Sequence, residues 1–319
     1  MRSLLRLLLL PLVWLTAPLY ALVARTGAGA EWCRRFGWHP VRVHFYHPVP
    51  EYEKVDRSVF EQPRPTPGID LDPARFAERL AGLGRYAAEC SWPEEAGPPG
   101  TYHAGNGNFG YSSAALLHCM LRAHRITRVV EVGGGFSSLI SMGALAANAR
   151  DLGGPVLFTC VEPYPSPWLA AAIRGSGGAR LLVHGVQQAP LDLFGALDAN
   201  SLLFIDSSHV SKLGSDVNFL FLDVLPRLAP GTWVHVHDIY LPYEYPAAHF
   251  FGPNKLFWNE QYLLQAFLAG NRDFEVVLPG YMVQRDMARE FGAAFPRYDS
   301  RRHRLTSSFW MRRRPAQDA

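Results

Sequence analysis

Cysteine is scarce in this chain, and the scarcity excludes two kinds of protein. The 319 residues include four cysteines, Cys33, Cys90, Cys119 and Cys160, without a CxxC pair or a His–Cys spacing. A disulfide framework and a cysteine-based zinc site are therefore both excluded as organising features. Cys160 lies in an apolar run and is expected to be a small core residue.

The chain also lacks a strong charge bias and an internal repeat. Its formal net charge is +3, so electrostatics give no reason to expect a nucleic-acid partner. Arginines cluster at 301–304 and 312–314, where we expect a solvated or membrane-facing edge. With 48% hydrophobic and 18% charged residues, the chain can form one large α/β domain with an appendage.

One long uncharged run stands near the N-terminus. Leu7–Ala24 lies between Arg6 and Arg25 and contains Pro11 and Pro18. A signal peptide, a membrane anchor and a helix lying in the membrane interface are all compatible with it. We favour a retained anchor or surface helix, and we treat residues 1–30 as a separate anchor or signal-like segment.

Residues 128–140 are the most informative part of the sequence. A β-branched run around Glu131 leads into Gly133, Gly134 and Gly135, and the helix-like stretch Phe136–Ser141 follows. This order predicts a strand, a tight turn and a helix N-terminus. Glycines allow backbone N–H groups to approach a ligand closely, and a helix N-terminus offers unpaired donors. The pattern indicates a nucleotide pocket, although a plain connector would look the same.

A second strand, Val156–Glu162, follows at about the length of one β-α-β unit. It ends in an acid, and in nucleotide-binding α/β folds an acid at this position accepts hydrogen bonds from ribose hydroxyls. The further strands are predicted at Ala179–Val183, Ser201–Ile205, Thr232–Val236, Phe274–Leu278 and Ser308–Arg312. Helices are predicted at Pro73–Glu89, with Asp72 as a possible N-cap, and at Leu213–Leu228. Two more are predicted at Asn259–Leu268 and near Gln284–Phe291.

Four stretches, VVEVGGGFSS, VEP, LLFIDSSH and WVHVHDI, resemble the class I S-adenosylmethionine-dependent methyltransferases. The resemblance covers about residues 100–312 and is closest to the small-molecule and sugar O-methyltransferases. It implies a Rossmann-like α/β fold, with a seven-stranded, mostly parallel sheet, helices on both faces and an N-terminal extension. Ser138 stands where the dinucleotide fingerprint has glycine, which favours S-adenosylmethionine over NAD.

The resemblance also implies a cofactor site. Glu162 is expected at the ribose and Gln187, after the third strand, at the adenine edge, where an ordinary surface loop is the alternative. The cofactor-binding residues predicted in this way are Glu131, Gly133, Gly135, Ser137, Glu162 and Gln187.

The chemistry is expected at the ends of the fourth and fifth strands. Asp206 and Asp238 follow these strands, and the carboxyl ends of neighbouring parallel strands meet at the ligand crevice. Two carboxylates attract a hard cation such as Mg²⁺. In the similar metal-dependent O-methyltransferases a base lies three residues after the first acid, which is the position of His209. Asp206, His209 and His237 are therefore the candidate catalytic residues.

The pair His237-Asp238 departs from those relatives, which usually have two oxygen ligands in a row. The imidazole favours a softer metal such as Mn²⁺, Fe²⁺ or Zn²⁺. Alternatively no metal is needed, and Asp238 and His237 bind the substrate directly.

These features predict S-adenosylmethionine-dependent methylation of a small-molecule, glycan or lipid-linked hydroxyl. A metal- or nicotinamide-dependent oxidoreductase and a non-catalytic cofactor-binding scaffold are the alternatives. Residues 31–110 are assigned to an N-terminal extension or lid, in which Tyr102 and Asn108 are lid candidates by position, and residues 111–319 to the methyltransferase domain. A cytoplasmic location, with contact to a membrane surface through residues 1–30, follows because the cofactor is made in the cytosol.

Overall fold

The computed structural model describes residues 2–39, 41, 44–253 and 255–316, and for residues 2–8 the backbone alone. Met1 of the predicted anchor, and the last three residues of the predicted methyltransferase domain, lie outside the described residues. The chain divides into two units, Met1–Ser58 and Val59–Ala319. The domain boundaries after residues 30 and 110 stay predictions.

Seven strands form one sheet within the described residues. They are β1 Arg128–Val132, β2 Leu157–Val161, β3 Ala179–Leu182, β4 Ser201–Ile205, β5 Trp233–Val236, β6 Phe274–Pro279 and β7 Phe309–Arg313. Their order in the sheet is β3-β2-β1-β4-β5-β7-β6. Strands β1 to β5 are parallel, whereas β7 runs antiparallel to both of its neighbours. The predicted Rossmann-like α/β class is therefore confirmed.

This order creates a crevice at one edge of the sheet. The chain leaves β1 toward β2 on one side and reaches β4 on the other side, so the topology reverses between β1 and β4. Ligands of open α/β sheets bind outside the carboxyl ends of the strands at such a reversal. The central strands are buried on both faces, and every residue of β4 is buried, as expected for parallel strands covered by helices.

The described residues also form twelve α-helices, two in the N-terminal unit and ten in the unit that contains the sheet. They are α1 Arg2–Thr26, α2 Ala30–Arg35, α3 Pro73–Gly84, α4 Tyr111–Ala123, α5 Phe136–Leu152, α6 Pro167–Gly175, α7 Asp192–Gly195, α8 Asp216–Asn218, α9 Ala247–Phe251, α10 Glu260–Leu268, α11 Gly280–Asp286 and α12 Ala288–Ala294. The side chain of Asp72 accepts a hydrogen bond of 3.0 Å from Ala74 N. This contact caps α3, as the sequence predicted.

Three predicted helices have different bounds in the structure. The helix expected over Leu213–Leu228 begins at Asp216, continues with π-helical geometry over Phe219–Val224 and ends in a 3₁₀ turn. Pro226 in that turn lacks a backbone N–H, which prevents a regular ending. Leu213 is fully exposed, because it precedes the helix.

The other two predicted helices are interrupted in the structure. The helix predicted at Pro73–Glu89 ends at Gly84, and a separate 3₁₀ turn follows over Ala87–Glu89. The helix predicted at Gln284–Phe291 is two helices, α11 and α12, because Met287 between them has the non-helical angles φ −122° and ψ 44°.

The N-terminal unit contains the apolar segment. Among the described residues, α1 is long and apolar enough to cross a membrane over Leu9–Thr26, judged by length and composition, and none of that stretch is buried. Both prolines of the run lie inside α1.

Candidate active site

The glycine turn after β1 lies directly against the end of β4. Gly133 has a left-handed backbone with φ +86°, and a side-chain carbon there would overlap the backbone oxygen of Asp206. Only glycine therefore fits this position. At Gly135, by contrast, a side-chain carbon would meet none of the described residues within 4 Å. The turn is therefore closely packed at Gly133 and open at Gly135.

Glu131 fixes this turn from below. Its side chain is fully buried, and its Oε1 accepts hydrogen bonds from the hydroxyls of Ser137 at 2.6 Å and Ser138 at 2.9 Å. Burial raises the pKa of the carboxyl group to about 8, although both hydroxyls act in the opposite direction. Glu131 and Ser137, both predicted to bind the cofactor, are thus engaged in shaping the turn and the start of α5.

Glu162 connects the tip of β2 to the same turn. Its Oε2 accepts a hydrogen bond of 3.1 Å from Gly134 N, and its Oε1 accepts one of 2.7 Å from Tyr164 N. A carboxylate offers about four acceptor positions, so the half-exposed group retains capacity for ligand hydroxyls. Gln187 is exposed, and its side-chain amide donates a hydrogen bond of 2.9 Å to Gly214 O. The structure therefore attaches Gln187 to a neighbouring loop.

Two acids and one imidazole converge beside the turn. His209 Nε2 lies 3.3 Å from Asp206 Oδ1 and 3.5 Å from Asp238 Oδ2. One donor atom from each of the three residues lies within 4.8 Å of the others. The structure thus brings together the residues that the sequence placed at neighbouring strand ends. The two carboxylates fit a divalent cation such as Mg²⁺, which prefers oxygen ligands, and the imidazole lies beside them.

The backbone at this centre is unusual. His209 and Asp238 both adopt left-handed conformations, with φ 59° and φ 56°. Non-glycine residues rarely do so, although His, Asp and Asn tolerate it best. At these two positions the turns leaving β4 and β5 are bent so that both side chains face the same point.

A buried acid lies behind His209. Glu260, the first residue of α10, is fully buried, and its Oε2 lies 2.8 Å from His209 Nδ1. Burial would lower the pKa of His209, but hydrogen bonds and charges from Asp206 and Glu260 outweigh it and hold the pKa well above its ordinary value. The ring of Trp258 covers the imidazole at a centroid distance of 4.4 Å.

The pKa values of Asp206 and Glu260, both beside His209, shift in opposite directions. Burial would raise the pKa of Asp206, but the hydrogen bond from His209, with the charges of His237 and His209, lowers it. Burial raises the pKa of Glu260, and His209 counteracts only part of that effect. The acids around His209 therefore favour the protonated form of its imidazole.

His237 does not join the group. Its ring is buried, with a centroid 4.9 Å from that of Phe109, and its Nε2 is 3.9 Å from Asp238 Oδ1. Ser307 Oγ lies 3.4 Å from His237 Nε2 and donates a hydrogen bond of 2.7 Å to Asp238 Oδ1. The structure thus places this predicted catalytic residue under Asp238, to which Ser307 links it.

A cavity of about 330 Å³ opens next to Asp238. Most of its lining is polar, and it includes Asn108, Asp238, Tyr240, His303, Arg304 and Ser307. Tyr102, which the sequence suggested for a lid, is buried instead, and its hydroxyl donates a hydrogen bond of 2.8 Å to Phe109 O. Asn108, the other lid candidate, does line the cavity.

Sequence reasoning missed Glu260, Trp258 and Ser307. The helix containing Glu260 was predicted, and an acid in a helix's first turn is ordinarily explained by the helix dipole. Nothing in the local pattern shows that this carboxylate is buried against a loop 51 residues earlier in the chain. Ser307 precedes the last strand, and its contact depends on β7 pairing with β5.

Comparison with known proteins identifies the family of this chain. A family model of a methyltransferase domain matches residues 130–239, which run from β1 to the residue after Asp238. The chain belongs to the class I S-adenosylmethionine-dependent methyltransferase family. The matched region contains the glycine turn, Glu162, Asp206 and His209, whereas Glu260 lies beyond it.

Two individual proteins are similar to the chain. An uncharacterized protein of Archaeoglobus fulgidus is 31% identical over 164 residues, which cover 49% of this chain and 73% of that protein. A crystal structure from Thermobifida fusca YX, provisionally named a methyltransferase, has 13% identity and a TM-score of 0.38, covering 82% of this chain and 98% of that one. This score is low, and the family assignment does not rest on it.

Proposed function

We propose that this methyltransferase transfers the methyl group of S-adenosylmethionine to the oxygen of a small-molecule, glycan or lipid-linked hydroxyl acceptor. One observation carries the proposal. The glycine turn and the Asp206–His209–Asp238 group are in direct contact, since Gly133 leaves no space for a side chain beside the Asp206 backbone. A methyl donor above the turn and an acceptor at the acids would be neighbours, as in-line transfer requires.

The residues of the turn fit S-adenosylmethionine. Open space beside Gly135 admits the cofactor, and the remaining acceptor positions of Glu162 suit ribose hydroxyls. The bound cofactor supplies an electrophilic methyl group on a sulfonium sulfur. Glu131 and Ser137 would act by holding the turn in shape, and Gln187 would reach the adenine only after releasing Gly214 O.

The acid–histidine group supplies the proton acceptor. The acceptor oxygen forms a bond to the methyl carbon while the carbon–sulfur bond breaks, and the hydroxyl proton passes to His209 Nε2. His209 must first lose the proton that the surrounding acids stabilise. Asp206 and Asp238 would hold a divalent cation, whose Lewis acidity would favour deprotonation of the acceptor hydroxyl. A cation that neutralises these aspartates would also weaken their hold on the imidazole proton.

The acceptor would enter the cavity beside Asp238. Its polar lining suits an oxygen-rich molecule. The lining also includes the aromatic side chains of Tyr111 and Tyr240. Polar and aromatic walls together favour a sugar or phenolic hydroxyl. We further propose a cytoplasmic catalytic domain that residues 1–30 attach to the membrane.

Calorimetry tests the cofactor assignment. The purified protein is titrated separately with S-adenosylhomocysteine, NADH and Mg²⁺, and S-adenosylhomocysteine should bind. Tighter binding of NADH would favour an oxidoreductase instead. Turnover is then measured with labelled S-adenosylmethionine on a panel of simple hydroxyl acceptors, from catechol to methyl α-glucopyranoside, with and without added Mg²⁺ or Mn²⁺.

The variant His209→Ala tests the base. Turnover should fall about 10²–10⁴-fold with S-adenosylhomocysteine affinity unchanged, since the base acts only on the acceptor proton. His47→Ala, which removes an exposed histidine of the N-terminal unit, is the control. If His209→Ala turns over at the wild-type rate across pH 6–9, His209 is not the base. If the wild type keeps full activity in excess EDTA, no metal is required and the base role still stands.

A further inference from the structure

Glu260 is a buried acid that the proposed reaction has not used. Its side chain is fully buried at the start of α10. A carboxylate in such a position is costly unless a strong partner compensates it. The partner is His209, whose Nδ1 lies 2.8 Å from Glu260 Oε2.

Backbone contacts fix the two residues relative to one another. The carbonyl oxygen of His209 accepts hydrogen bonds from the N–H groups of Asn259 at 3.0 Å and Glu260 at 3.2 Å. In return, Ser211 N donates 2.6 Å to Asn259 Oδ1. These three hydrogen bonds, with a fourth of 3.3 Å from Asn259 Nδ2 to Ser211 O, attach the loop after β4 to the beginning of α10. The Glu260–His209 contact therefore does not depend on side-chain rotation alone.

This contact distinguishes the two nitrogens of the imidazole. Nδ1 faces Glu260, whereas Nε2 faces Asp206 at 3.3 Å and Asp238 at 3.5 Å. An ionised carboxylate only accepts hydrogen bonds, so Nδ1 must carry a proton to bond with it. A hydrogen bond at one ring nitrogen selects which tautomer the ring adopts.

We propose that Glu260 is the positioning residue of this site. It keeps a proton on His209 Nδ1, so that in the neutral ring the Nε2 lone pair faces the reacting atoms. When the acceptor O–H bond breaks, the new N–H bond forms at Nε2, and the Glu260 carboxylate stabilises the resulting imidazolium. The inference rests on the proposed methyl transfer and adds a residue outside the matched family region.

Nuclear magnetic resonance of the full chain, labelled with ¹⁵N-histidine, tests the contact without any substrate. The wild-type spectrum should contain a downfield imidazole N–H proton that is absent in His209→Gln. In Glu260→Gln this resonance should move upfield, because a neutral amide is a weaker acceptor than a carboxylate. The pairs His118–Glu89 at 2.8 Å and His303–Glu94 at 3.0 Å serve as internal controls, whose signals should persist.

Turnover separates positioning from a merely structural role. Glu260→Gln should lower kcat about 10–100-fold, the usual effect of losing a carboxylate behind a functional histidine. KM for S-adenosylmethionine and the affinity for S-adenosylhomocysteine should not change. The matched control is Glu275→Gln. Glu275 is a partly buried acid of β6 that pairs with Arg79 at 3.4 Å, and this variant should turn over normally.

Two outcomes overturn the inference. One is a wild-type spectrum without the His209 Nδ1 proton, a result that needs no Glu260 variant to fold. The other is a Glu260→Gln protein with wild-type kcat. Failure of every acceptor in the panel would instead refute methylation of oxygen, and the spectrum would still decide whether Glu260 fixes the tautomer.

Discussion

At the scale of single residues, a buried carboxyl group makes stability depend on pH. Burial raises the pKa of Glu131 from its ordinary 4.5 to about 8 in the folded protein. Between these values the unfolded chain has released the proton and the folded chain retains it. Since the folded state binds more protons, the free energy of unfolding falls as pH rises through this window.

The variant Glu131→Gln should abolish this fall, because an amide cannot ionise. The free energy of unfolding of the variant, minus that of the wild type, should therefore be larger at about pH 8 than at about pH 5. Urea unfolding of both proteins at the two pH values measures this difference. Glu95→Gln, an exposed acid, is the control and should keep the wild-type difference. An equal pH dependence in wild type and Glu131→Gln would show that Glu131 is ionised throughout.

The tip of β2 offers a direct test of cofactor binding. Glu162→Ala should weaken S-adenosylhomocysteine by about 1–3 kcal/mol, the scale for losing hydrogen bonds to a charged group. The loss combines the ribose contacts with the bond that Glu162 accepts from Gly134 N. Calorimetry measures the affinity, with Asp192→Ala at the exposed start of α7 as control. Unchanged affinity in Glu162→Ala contradicts the assignment.

The sequence located some of these residues and not others for a physical reason. Asp206 and Asp238 follow strands, and parallel strand ends must meet at one edge of the sheet. The orientation of His237 depends on Phe109, which fills the adjacent space from a distant loop. Likewise Glu260 reaches His209 only because the loop and α10 pack together. Strand position follows from local pattern, whereas such contacts follow from tertiary packing.

At the scale of elements, strands were predicted more accurately than helix ends. The parallel strands are short, largely apolar runs bounded by turn residues or acids, which is a strong local signal. Helix ends depend on caps and on single residues such as Met287, whose backbone angles separate α11 from α12. Hydrophobic periodicity continues across such a break and therefore does not reveal it.

The cap of α3 gives a prediction at this scale. Asp72→Ala should lower the free energy of unfolding by about 0.5–2 kcal/mol, because the backbone N–H of Ala74 loses its acceptor. Asp70→Ala is the matched control, since Asp70 pairs at the surface with Arg75 at 2.6 Å but caps nothing. That variant should cost less, as surface ion pairs do. Equal losses in urea unfolding would attribute the effect to the shared Arg75 contacts.

At the scale of the whole molecule, the N-terminal segment should be separable from catalysis. Deleting residues 1–30 should release the protein from membranes without loss of S-adenosylhomocysteine binding, because the turn and Glu162 lie in the other unit. Membrane fractionation and calorimetry measure the two properties. A truncated protein that stays with the membrane would place the anchor elsewhere, and a native N-terminus at Glu31 would identify a cleaved signal.

The left-handed backbone at His209 and Asp238 limits how these two positions can vary. A mutational scan scored separately for protein abundance and for activity should reveal the limit. Asparagine and glycine adopt this conformation readily, whereas β-branched residues do so at a high cost. At Asp238, the substitutions Asp238→Asn and Asp238→Gly should therefore preserve abundance while activity disappears, and Asp238→Val should reduce both. Local geometry would then decide which inactive descendants of this enzyme persist as folded proteins.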